Sequence, residues 1–107
     1  MKKPWFHILL ALAEGPTHGA EVRRRAQDRT AGETKLYPVT LYRSLDELVD
    51  RGLLEELPEP ADADHNERRR YFALTPEGRK ALREEAKALE AEARLAWEAL
   101  ASGGPGE

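Results

Sequence analysis

"YPVTLYRSLDELVDRGLLEE", residues 37–56, starts as a helix and ends as a strand. Leu41, Leu45 and Leu48 fall at spacings of 4 and 3, which stack side chains on one helix face, with Tyr42 and Val49 flanking the stripe. Pro38 suits the first turn and Gly52 a stop. This reading turns Thr40, Arg43, Ser44 and Glu47 toward the opposite, exposed face. "LLEEL" (53–57) is a short strand candidate. "PEPADADHNE" (58–67) is too rich in proline and acid for helix or strand. The chain then returns through "RRRYFALTPEG" (68–78): Arg68–Leu74 reads as a strand, with Arg70, Phe72 and Leu74 on one side and Arg69, Tyr71 and Ala73 on the other.

Outside this pair of stretches the chain is helical in pattern. Trp5, Phe6, Ile8, Leu9, Leu10 and Leu12 make an apolar helix that "EGP" (14–16) ends. Thr17 is expected to cap a second helix running to about Asp28, with Val22 and Ala26 inward and Arg23, Arg24 and Arg25 around its outside. Thr75 and Pro76 open a last helix reaching about Leu100. On it Leu82, Ala86, Leu89, Ala93, Ala96 and Leu100 repeat at 4-3-4-3-4, the seam of a coiled coil. A stripe that long calls for a second copy of the chain, and Trp97 adds a large apolar contact beside it.

The order helix, helix, helix, hairpin, helix is the plan of a winged helix-turn-helix: mainly α with a small β-hairpin, plus a long C-terminal helix. The expected division is residues 1–76 for the DNA-binding unit, 77–101 for the dimerisation helix and 102–107 for a disordered tail. In this plan the third helix enters a major groove and the hairpin, or wing, follows the neighbouring backbone.

The net charge of −3 opposes a nucleic-acid partner, but its distribution does not. Residues 17–43 carry +3 and 68–76 carry +3, separated by −8 over 44–67. If folding joins the two positive islands, an acidic chain has a basic face. Like charges side by side on a strand repel unless an anion is near, so phosphate is the natural partner of the arginine run. The acidic loop between the strands would either be repelled by the minor groove, keeping the wing on one strand's phosphates, or be a disordered solvated loop.

Enzymatic classes fail on inventory. His7, His18 and His65 lie in three separate elements, and neither a Gly-rich phosphate loop nor a nucleophile elbow is present. No metal or cofactor is expected. Without cysteine there is neither disulfide nor thiolate site, which suits a cytoplasmic protein. No apolar run reaches the ~20 residues of a membrane span, and the interrupted N-terminal run lacks the pattern of a signal peptide.

"PVTLYRSLDELVDRGLL", "RRRYFALTPEGRKAL" and "LLALAEGPTHGAEV" together resemble the PadR family of bacterial transcriptional regulators over most of residues 6–82. The single terminal helix resembles its compact subgroup. The resemblance implies a homodimeric regulator, read here as a repressor, on a two-fold symmetric operator of double-stranded DNA. Thr40, Arg43 and Ser44 would read bases, while Lys35, Tyr42, Arg68 and Arg70 would hold phosphates. Leu82, Ala86, Leu89, Ala93, Ala96, Trp97 and Leu100 would form the dimer interface. Trp5, Phe6 and Trp97 are the candidate lining of a shared cavity for a small aromatic or apolar effector. Three positions depart from the family pattern: Ala20 follows "HG" where an aromatic is frequent, the wing tip is acidic, and Leu89 stands where drug-binding relatives have tryptophan. The competing class is a winged-helix module that binds protein instead of DNA.

Overall fold

The computed structural model describes residues 1–60 and 69–103. Pro4 sits in the first turn of α1 (Lys3–Ala13), which buries Trp5, Ile8, Leu9, Ala11 and Leu12. After Gly15 and Pro16 the chain forms a two-residue strand, β1 (Thr17–His18), and then α2 (Gly19–Arg29). The cap of α2 is therefore His18, not the expected Thr17: its Nδ1 accepts from the Glu21 N–H at 3.3 Å. Thr17 is drawn into the sheet instead, opposite Phe72.

Helix α3 (Pro38–Asp50) follows the predicted stripe, burying Leu41, Leu45 and Leu48. Gly52, at φ +76°, turns the chain into β2 (Leu54–Leu57), a backbone conformation costly for any other residue. Strand β3 (Tyr71–Leu74) pairs antiparallel with both β2 and β1, so the expected hairpin is a three-stranded sheet in the order β1-β3-β2. Arg69 and Arg70 precede β3 and do not extend it. Arg68, His65 and the acidic tip Ala61–Glu67 lie outside the described residues.

One core unites the elements: Ile8, Leu9 and Leu12 from α1, Val22 and Ala26 from α2, Leu36, the α3 stripe, Leu54, and Phe72 at the centre of the sheet. Each large side chain so buried contributes roughly 1.5–3 kcal/mol. The core clamps α3 along its inner face, so whatever its outer face carries is presented on a rigid support. Helix α4 (Pro76–Ser102) is capped as expected, the Thr75 hydroxyl accepting from the Gly78 N–H at 2.9 Å. Leu82 packs onto the core, and from Ala86 to Ser102 the helix leaves the body with every residue exposed. Ser102, expected in the tail, is the last residue of α4, and residues 104–107 lie outside the described residues.

Candidate nucleic-acid interface

The outer face of α3 is built by subtraction. Positions 41, 44, 45 and 48 are buried, which leaves Val39, Thr40, Arg43, Asp46 and Asp50 exposed. Ser44, expected among the exposed residues, is only 7% accessible. It lies three residues after Leu41 and four before Leu48, so the spacing that buries the leucines also turns Ser44 inward. Tyr37 (60% exposed) and Val39 (71%) are large exposed groups at the start of the helix that the sequence reading passed over. Arg43 is exposed and forms no ion pair among the described residues. The N-terminal half of α3 thus offers apolar, hydroxyl and guanidinium groups, while its C-terminal half offers Asp46, Glu47 and Asp50.

Tyr42 sits at the edge of the stripe, half-buried, against the start of α2. A Cβ at Gly19 would lie 2.7 Å from the Tyr42 hydroxyl, so glycine is what admits the ring there. The "HG" pair has a physical reading: His18 caps α2 and Gly19 seats Tyr42.

Folding does join the two basic islands, because His18 pairs with Tyr71 across the sheet, their rings edge-to-face at 5.5 Å. Much of their charge, however, is already matched. Arg24 binds Glu21 and Asp28. Arg25, expected on the outside, donates from Nη1 to the carbonyls of Ala11 and Gly15, both at 3.0 Å, and ties α2 to the end of α1. Arg29 pairs with Glu14. Arg69 brings Nη1 within 2.6 Å of His18 Nε2. Arg70, expected to hold phosphate, donates to both oxygens of Glu56, at 2.8 and 3.1 Å, and to Asp46 at 2.7 Å. The basic surface is correspondingly narrower than the residue count implied, with Arg43 and Lys35 its exposed members on the approach to α3.

Lys35 borders a hollow of about 210 Å³ with Lys3, His7, Glu33 and Thr34. Burial, reinforced by the nearby charges of Lys3 and Arg29, holds the His7 imidazole below the ordinary histidine value. The unfolded chain takes up this proton first, so stability present above pH ~6.5 should decline as pH falls below it. Melting curves between pH 7.5 and 5 should show that decline, and His7→Gln should flatten it.

The family model for "Transcriptional regulator PadR-like family" matches residues 8–84, which spans α1 through the start of α4. The chain belongs to the PadR-like family. That family is one of transcriptional regulators, not of enzymes. A protein in transposon TN4556 of Streptomyces fradiae is 36% identical over 100 residues. The match takes in 94% of this chain and 26% of that protein, so the chain spans about a quarter of its relative's length. Among solved structures, a PadR family transcription regulator from Clostridium difficile R20291 superposes with a TM-score of 0.77 at 21% identity, covering 92% of this chain and 99% of the other. Bacillus subtilis PadR in complex with operator DNA gives 0.68 at 16% identity, covering 79% and 47%. Likeness at that level speaks for a common winged-helix fold.

The PadR-type terminal helix carries most of the remaining exposed apolar surface. Leu89, Leu95, Trp97 and Leu100 are 41%, 64%, 71% and 62% exposed. Leu82, expected in the interface, is half-buried against its own core, and the exposed part of the seam runs from Ala86 to Leu100. The candidate cavity of Trp5, Phe6 and Trp97 is not assembled within the chain. Trp5 is only 6% exposed and packs in the core, with Lys2 at 4.9 Å and Arg51 at 4.7 Å from its ring. Phe6, one residue on, faces α4 and lines two hollows: one with Leu10, Leu82 and Ala86, the other with His7, Glu85 and Leu89. Trp97 borders neither; eight residues past Leu89 on α4, it lies ~12 Å further along the axis. Adjacent helix positions point in different directions, which is why Trp5 and Phe6 part company.

Proposed function

We propose that this chain binds duplex DNA as a homodimer on a two-fold symmetric operator and represses by occupying it. The observation that carries this reading is the outer face of α3 near its start, where Val39, Thr40 and Arg43 project from a helix whose inner face is locked in the core. A guanidinium with no ion pair among the described residues can fork onto guanine, and a threonine methyl or valine can meet a thymine methyl. Lys35 and Tyr42 flank that face as backbone contacts, and Arg68 belongs with them on the sequence reading. The long free helix supplies the second copy.

Selection of bound sequences from a random duplex pool tests the proposal directly. It should return a two-fold symmetric sequence whose affinity falls steeply with salt. Arg43→Ala should then cost ~1–3 kcal/mol and relax preference at one base pair per half-site. An equal loss on every sequence would reassign Arg43 to the backbone.

The protein-binding alternative draws support from the same structure, because the net charge is negative and Arg24, Arg25, Arg29, Arg69 and Arg70 are engaged internally. Its signature would be an interface whose affinity responds weakly to salt, and a pool selection that enriches nothing.

A further inference from the structure

Arg70 is the point where α3 meets the wing, and its surroundings are unusual for a DNA-facing arginine. Its guanidinium grips Glu56 on the edge strand β2 with two hydrogen bonds and reaches Asp46 on α3 with a third. It also lies over the Phe72 ring at 5.3 Å and over the Tyr42 ring at 6.0 Å. Lying over two rings and bonded to two carboxylates, its guanidinium is directed toward the protein's own acids. The bond to Arg70 holds the Glu56 carboxyl below the usual carboxylate range. Asp46 follows Arg43 by three residues, so the cluster adjoins the proposed base-reading face. Among the described residues, one cation of this cluster stands against two anions.

We propose that Asp46 and Glu56 are affinity-limiting residues, which hold Arg70 off the phosphates and deny the protein a backbone contact that any sequence would satisfy. The inference rests on the DNA-binding reading above. Backbone contacts tighten every duplex alike, whereas base contacts separate one from another. Withholding a strong cation therefore lowers affinity for all DNA and leaves discrimination to the groove contacts of α3. Discrimination is a difference of affinities, so weakening the common term shortens the stay on operator and competitor alike and leaves their ratio unchanged. The same three side chains tie α3 to β2, so Arg70 sets the angle between helix and wing while being kept from DNA.

The test compares the intact chain with Asp46→Asn/Glu56→Gln, two near-isosteric changes that remove charge. Anisotropy titrations of the selected duplex and of an unrelated duplex of equal length, across a series of salt concentrations, supply the readout. The double variant should bind the unrelated duplex at least about fivefold more tightly, with a salt slope steeper by about one unit, as one released arginine predicts. Affinity for the selected duplex should rise by the same factor, so the ratio between the two is unchanged while both bind more tightly. Adding Arg70→Met to the double variant should return affinity and slope toward those of the intact chain. Glu56→Gln alone, on an exposed edge strand, should shift both quantities in the same direction and carries the test if the double variant folds poorly. Unchanged affinity and slope in these variants would overturn the proposal while leaving DNA binding intact. A gain that survives Arg70→Met would overturn it too, since the carboxylates would then act by direct repulsion. An intact chain that binds neither duplex would remove the DNA reading and this inference together.

Discussion

Gly78→Ala should lower the melting temperature by about 10–20 °C, the equivalent of roughly 3 kcal/mol in a domain of this size. The cause is a contact between two stretches of backbone. A Cβ at residue 78 would stand 2.0 Å from the carbonyl oxygen of Leu53, with Leu74 Cδ1 at 2.7 Å. A flexible side chain could move aside, but the carbonyl cannot: Leu53 O accepts from the Thr75 N–H at 3.2 Å, and the Thr75 hydroxyl donates to Gly52 O at 2.6 Å. These bonds pin the first turn of α4 onto the turn that joins α3 to β2. Making room for one methyl would mean breaking them and tilting α4 away from the core. Gly32→Ala is the control, because Gly32 has φ +85° but open space where a Cβ would go, so it should cost only about 1 kcal/mol of backbone strain. A Gly78 variant that melts within a few degrees of the parent would show that α4 can retreat without loss.

The same position shows where sequence reading reaches and where it stops. Within "TPEG", the cap Thr75 and the first-turn Pro76 were legible because their roles depend on neighbours one to three residues away. Gly78 was not, since its role depends on Leu53, distant in sequence and marked by nothing local. The α3 stripe and the Gly52 stop followed from periodicity and turn chemistry, and the winged-helix plan followed from them. Strand β1 was missed because two residues carry no alternation to detect; Thr17 and His18 become a strand only when β3 is beside them. Ser44 was misplaced for a different reason. Serine was assigned by polarity to the outer face, although its spacing from Leu41 and Leu48 puts it on the inner one. The arginines were harder still. Their number predicts a basic surface, but surface charge depends on which carboxylates the fold brings near, and Asp46, Glu56 and Glu14 approach their partners only in the folded chain.

Shortening the chain to end at Lys87 should convert the proposed dimer to a monomer and weaken binding to the full operator by about 10²–10³-fold. The core loses nothing in this cut, because Leu82 is the last residue of α4 that packs on it. What is removed is the exposed arm carrying Leu89, Trp97 and Leu100. That arm is about 15 residues long, near the limit at which an isolated helix is stable in water, and it presents apolar groups to solvent. Packing it against a second copy relieves both conditions at once. The alanines at 86, 93 and 96 allow the helices to approach closely, and each large side chain buried contributes roughly 1.5–3 kcal/mol against the cost of association. A dimer would also fix the separation of two α3 helices, which must match successive major grooves ~34 Å apart if both are to read DNA. Once linked, the second half-site is bound at a high effective concentration, and that advantage is what the cut discards. The shortened chain should therefore keep its helical signal and its affinity for a single half-site while losing its preference for the two-fold sequence. Sedimentation at micromolar concentration checks the premise: an intact chain that runs as a monomer would overturn the dimer and the two-fold operator with it.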